Sequence, residues 1–237
     1  MKTVVGVDGC RFGWIAVALS PGEACEVRVL PDIHDVVIWR DDGVVLIDVP
    51  IGLRDSGPEP RACDVAARRV LGSPRSSSVF PPPCRAALVA SCWEEASTIN
   101  ERRTGRRLSR QSWAIAGKIH EVDQFLREDP QRQVFLREAH PEVLFWALND
   151  RRPVFSKKKR VHGRNERLDI LTRHWPEVEA VFHRERRGIR SRGAAADDLL
   201  DALAAVTAWR ACGGRLSTLP EVPEMDAAGL RMEIVLP

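Results

Sequence analysis

Three short apolar runs stand so close together at the start of this chain that little choice of connection is left. Thr3-Val4-Val5-Gly6-Val7, Trp14-Ile15-Ala16-Val17-Ala18-Leu19 and Cys25-Glu26-Val27-Arg28-Val29-Leu30 each have the β-branched or alternating character of a strand. Gly9 and Gly13 punctuate the first gap, and Pro21-Gly22 the second. Parallel neighbours need a crossover of about a dozen residues or more, and neither gap has room for one. The three runs therefore predict an antiparallel meander. After a helix expected beyond Pro31-Asp32, Val44-Val45-Leu46-Ile47 is continuously apolar, as in a central strand covered on both faces.

Beyond it the pattern turns helical. Arg61 to Leu71, Arg85 to Asn100 and Ser109 to Leu126 carry helical periodicity, interrupted by Ser76-Ser77-Ser78-Val79-Phe80-Pro81-Pro82-Pro83. Three prolines exclude a regular helix or central strand there. The stretch from about 52 to 129 reads as a helical insertion. Gln133 to Glu138 reads as a further strand, and His140-Pro141-Glu142 opens a helix through Leu148. Helices follow from Arg164 to His174 and from Ala195 to Ala211, the last stopped by Gly213-Gly214. The tail from Leu230 to Leu236 is expected as a closing edge strand. The whole, 1–237, reads as one α/β domain: a mixed sheet with its first three strands antiparallel, flanked by helices.

A composition of 44% hydrophobic and 29% charged residues is that of a globular protein. No apolar run reaches the roughly 18 residues of a membrane span, so no membrane partner is expected. Asp8 interrupts the place where a signal peptide would continue its apolar core. A cytoplasmic location is the expectation. Six scattered cysteines, with no C-x-x-C pair, read as free thiols, and no zinc site is expected. The net charge is +3 overall, yet residues 151–192 hold fourteen Lys/Arg against five acids. Within that segment Lys157, Lys158, Lys159, Arg160, Arg164 and Arg167 are candidate phosphate contacts, which makes nucleic acid a candidate partner. An arginine-rich surface serves as well as the bland explanation.

The chemistry-bearing candidates are acids. Asp8 and Asp48 each follow directly on an apolar strand, where ligands collect in an open α/β sheet. Asp198 and Asp201, three apart, share one face of the last helix. A favourable helix dipole accounts for Asp198 but less well for Asp201, which lies a turn further in among Leu199, Leu200, Ala202 and Leu203. An acid in such surroundings needs a partner, and hard oxygen ligands suit Mg²⁺ or Mn²⁺. Glu142 is a candidate fifth member. Glu121 and Asp123 are expected at the surface, and His120 and His140 in structural roles.

Val5-Gly6-Val7-Asp8-Gly9, the strand ending at Asp48 and Asp198-x-x-Asp201-Ala-Leu-Ala resemble the metal-ligand motifs of RuvC-type resolvases in the ribonuclease H-like superfamily. More of the chain resembles the family known as domain of unknown function 429, regarded as predicted nucleases of that fold. That resemblance is carried by Gly6 to Cys10, Ile47 to Leu53, Ser77 to Pro81, Glu121-Val122-Asp123, His140-Pro141-Glu142 and Asp197 to Ala202. It implies a ribonuclease H-like core and a metal-dependent nuclease, with Asp8, Asp48, Asp198 and Asp201 as metal ligands and Glu142 assisting. The chain departs from the resolvase pattern at Asp48, where those enzymes usually carry Glu. Two other readings stand beside this one: a nucleotide-binding phosphotransferase of the actin and sugar-kinase type, and a non-catalytic nucleic-acid-binding module.

Overall fold

The computed structural model describes residues 2–22, 24–39 and 42–237. β1 (Val4–Cys10), β2 (Gly13–Leu19) and β3 (Glu26–Leu30) form the antiparallel meander that their short gaps require. α1 (Ile33–Trp39) carries the chain back so that β4 (Val44–Ile47) pairs with β1 in parallel. β5 (Leu136–Glu138) extends the sheet beside β4, again in parallel. The resulting order is β3-β2-β1-β4-β5, a mixed five-stranded sheet flanked by helices.

Between β4 and β5 come α2 (Ala62–Leu71), 3₁₀ turns at Arg75–Ser78 and Arg85–Val89, α3 (Trp93–Thr104), α4 (Arg110–Ala114) and α5 (Ala116–Glu128). After β5 follow α6 (Pro141–Leu148), α7 (Val161–His174), α8 (Val178–Glu185), α9 (Gly188–Ser191) and α10 (Ala196–Ala211). A hairpin of β6 (Ser217–Met225) and β7 (Arg231–Leu236) ends the fold.

Strand alternation assigns the two faces. Val5, Val7, Val45 and Ile47 pack with α1 and α5 through Ile33, Ile119 and Leu126. Val4 and Leu46 point the other way, into the larger core of Leu144, Leu171 and Leu203 from α6, α7 and α10. Gly6 faces that same side, and its missing side chain matters: a Cβ there would stand 2.1 Å from the carbonyl oxygen of Ala202. α10, whose residues Leu199 to Trp209 are all buried, therefore lies directly on β1.

Three expectations are corrected. The tail strand does not close the main sheet but pairs with β6, Ser217 opposite Leu236. β6 escaped notice because Pro220 and Pro223 make it read as a loop; prolines are tolerated in such an exposed edge ribbon. The strand expected from Gln133 starts only at Leu136, since Pro130–Val134 forms a 3₁₀ turn. The basic segment holds α8 and α9 besides α7. The six cysteines are free thiols, with Cys10, Cys63 and Cys84 buried. Among the described residues no helix is long and apolar enough to cross a membrane.

Candidate functional site

The register of the central strands does most of the assembly. Val7 pairs with Ile47 across the parallel β1–β4 ladder, and the Asp48 amide donates to the Val7 carbonyl at 2.9 Å. Asp8 and Asp48 are thus the next residues on neighbouring strands. By alternation each shares its face with the residue two before it, Gly6 and Leu46, and that is the face α10 covers. The close approach of α10 at Gly6 then brings in Asp201. One carboxylate oxygen from each of Asp8, Asp48 and Asp201 lies within 4.8 Å of the others.

Such a gathering is electrostatically costly. Burial pushes the Asp8 carboxyl well up, and Asp48 and Asp201 push it further, with Lys158 opposing. Burial likewise raises Asp48 and Asp201 to about 7 each, again against the pull of Lys158. Lys158 is the cation present: its Nζ donates to Asp201 Oδ2. Burial works against the charge of Lys158, but Asp201, Asp8 and Asp48 together hold its pKa above the usual lysine value.

Glu142 stands in the same cleft, on the first turn of α6 after β5. Its Oε1 accepts from Arg167 Nη2 at 2.6 Å, while its Oε2 is buried with no hydrogen-bond partner in the protein. Asp201 Oδ1 is buried and unpartnered in the same way. The orphaned oxygens of Glu142 and Asp201, with the carboxylates of Asp8 and Asp48, make an all-oxygen donor set, which fits a hard divalent cation such as Mg²⁺ or Mn²⁺.

The cleft is about 510 Å³ in volume. Arg75, Ser77, Ser78 and Phe80 from the proline-rich connector line it together with the acids and with Lys118 of α5. Lys118 lies over the Trp14 ring at 4.1 Å, and burial lowers its pKa. A buried network that itself lines the cleft fixes the loop after Asp48. Arg61 holds Glu138 at 2.8 and 2.9 Å, Asp64 at 2.6 and 3.1 Å and the Ile51 carbonyl at 3.0 Å. Glu138 also accepts from the Ile51 amide at 2.7 Å. Burial raises Glu138 to about 7, less than it would without Arg61.

The other expected site residues are placed as follows. Asp198 stays outside the trio; its Oδ2 accepts from the Ala195 amide at 2.8 Å and so closes the start of α10. Lys157, Lys159 and Arg160 are exposed and Arg164 is partly so. Arg167 cannot meet a phosphate at the surface, because it is 0% exposed and spends its guanidinium on Glu142 and on the Ser156 and Gly163 carbonyls. It is a positioning residue for Glu142 instead. Nor are Glu121 and Asp123 surface acids. Glu121 accepts from Trp14 Nε1 and the Ile33 amide, and Asp123 is buried against Arg85.

Residues 6–225 match the family described as protein of unknown function (DUF429). The chain belongs to that family. No curated protein and no solved structure matches it. Membership of DUF429 therefore assigns the chain to a family without assigning it an activity.

Proposed function

We propose that this DUF429 protein is a metal-dependent phosphodiester hydrolase, a nuclease built on a ribonuclease H-like core. The observation that carries the reading is the convergence of Asp8, Asp48 and Asp201 from two adjacent central strands and one helix to within 4.8 Å. The mixed sheet with its antiparallel opening strands supports the same reading of the core.

Asp8, Asp48 and Asp201 would hold the cation, and Glu142 has a free oxygen to add. A bound Mg²⁺ or Mn²⁺ would supply charge for the phosphate oxygens and lower the pKa of an attacking water. Glu142, held by Arg167 through Oε1, would have Oε2 available to accept a hydrogen bond from such a water. Lys158 offers its ammonium to a phosphate once a cation has taken over the neutralisation of Asp201. Ser77 and Ser78 also line the cleft, their hydroxyls donated to the Pro74 and Arg75 carbonyls, so that their oxygens face it only as acceptors, while Arg75 is held through Nη2 by the Phe155 carbonyl.

The test is cleavage of labelled single-stranded, duplex and branched DNA and RNA with Mg²⁺, Mn²⁺ or EDTA, by wild type and Asp8→Asn. Metal-dependent cutting that disappears in Asp8→Asn is the expected result. A folded, metal-loaded wild type that cuts none of them contradicts the proposal and directs attention to nucleotide binding.

A further inference from the structure

Five arginines converge on a second concavity, about 760 Å³, next to the acidic cleft. Arg11 comes from the β1–β2 turn, Arg164 from α7, Arg186 and Arg187 from the α8–α9 connection, and Arg190 from α9. The turn is pinned there, since the Arg11 amide donates to the Gly193 carbonyl at 3.1 Å. None of the five guanidinium groups makes an ion pair among the described residues. The one acid in the lining, Asp198, has an oxygen committed to the Ala195 amide. The interior arginines Arg61, Arg85 and Arg167 are by contrast each locked to carboxylates.

Arg186, Arg187 and Arg190 are neighbours in the chain, but Arg11 and Arg164 join them from two distant segments, and five like charges in one hollow repel one another. Guanidinium forks match phosphate oxygens bidentately, and several of them in one hollow suit several phosphates in succession. The location adds direction. Arg11 lies three residues beyond Asp8, and Asp198 lies one turn of α10, roughly 5 Å, before Asp201. A chain of phosphates seated on the arginines is thereby led toward the carboxylate trio.

We infer that the arginine concavity binds the phosphodiester backbone of a polynucleotide and delivers it to the neighbouring acids, so that the substrate is a polymer and not a small phosphoester. The delivery half rests on the hydrolase reading; the binding half does not, and it can be measured alone. The experiment is fluorescence anisotropy with a labelled twelve-nucleotide oligothymidylate in EDTA, across roughly 50–200 mM salt. Wild type is compared with Arg186→Glu/Arg187→Glu/Arg190→Glu and with the charge-neutral Arg187→Gln/Arg190→Gln. Arg102→Glu/Arg103→Glu/Arg106→Glu, an equal charge change on and just beyond α3, is the control.

The expected result is tenfold or greater weakening in the triple variant and a salt slope shallower by about 2, at about 0.7 per single-strand phosphate contact. The glutamine variant falls between, and the control binds as wild type. Unchanged binding in the triple variant, or equal weakening in the control, overturns the site. Displacement of the oligonucleotide by equimolar inorganic tripolyphosphate overturns the polymer assignment. Binding as expected with no metal-dependent cutting removes the hydrolase reading and leaves the site standing. Cutting by wild type with unchanged binding in the triple variant does the reverse.

Discussion

Gly6 on β1 lies against the backbone of Ala202 on α10, so closely that a Cβ on Gly6 would be 2.1 Å from the Ala202 carbonyl oxygen. This contact sets the depth at which Asp201, one residue earlier on α10, meets Asp8, two residues later on β1. Gly6→Ala should force the helix and strand apart, at a cost of about 1–3 kcal/mol for overpacking. Denaturant unfolding reads the loss, and Mn²⁺ titration should show weakened binding in whatever folds. Wild-type stability and binding would mean that the contact does not position the trio.

Arg167 and Glu142 form a buried pair, so removing one partner strands the other. Arg167→Met should cost about 3–5 kcal/mol, the usual penalty for breaking a buried ion pair. Adding Glu142→Gln should recover part of it. If Arg167→Met unfolds at the wild-type denaturant midpoint, Glu142 is not held in the way described.

The trio also predicts a pH dependence. Asp48 and Asp201 sit near 7 in the folded protein because burial outweighs the help of Lys158. An unfolded aspartate titrates at about 3.9, so between these values the folded state binds more protons. The resulting stabilisation of the metal-free protein is complete below about 4 and is lost as pH rises through about 7. Metal needs the deprotonated form, so the thermal shift produced by Mn²⁺ should grow from pH 6 to pH 8. A shift that is flat across that range would contradict the assignment.

Lys158 now supplies the positive charge that a metal would supply. Lys158→Met should therefore lower the melting temperature of the metal-free protein while tightening Mn²⁺ binding several-fold by calorimetry. Weaker binding in this variant would show that the ammonium supports the metal site and does not compete with it.

Much of this was legible in the sequence because the gaps between runs were short. The meander followed from chain reach alone. Asp8 and Asp48 stood out as acids closing apolar strands, and Asp201 as an acid inside an apolar helix. The apolar neighbours of Asp201 already set it apart from Asp198, but the shared three-residue spacing kept both as metal ligands; only the geometry of the α10 start assigns Asp198 to the Ala195 amide. Arg167 was hidden in a basic run, where composition does not say which cation turns inward. Its burial needed α7 in place, with Leu168, Ile170 and Leu171 beside it. The Arg61–Glu138–Asp64 network joins residues as far apart as 77 positions and carries no local signal. Lys118, one of only five lysines and a cleft residue, is a position that rarity might have flagged.

The most direct test of the central claim is anomalous diffraction from crystals of wild type and Asp48→Asn soaked in Mn²⁺. The account predicts a manganese peak bonded to carboxylate oxygens of Asp8, Asp48 and Asp201 in wild type, lost or strongly reduced in Asp48→Asn. Manganese bound elsewhere, with Lys158 still bonded to Asp201 and no metal on the three carboxylates, would contradict it.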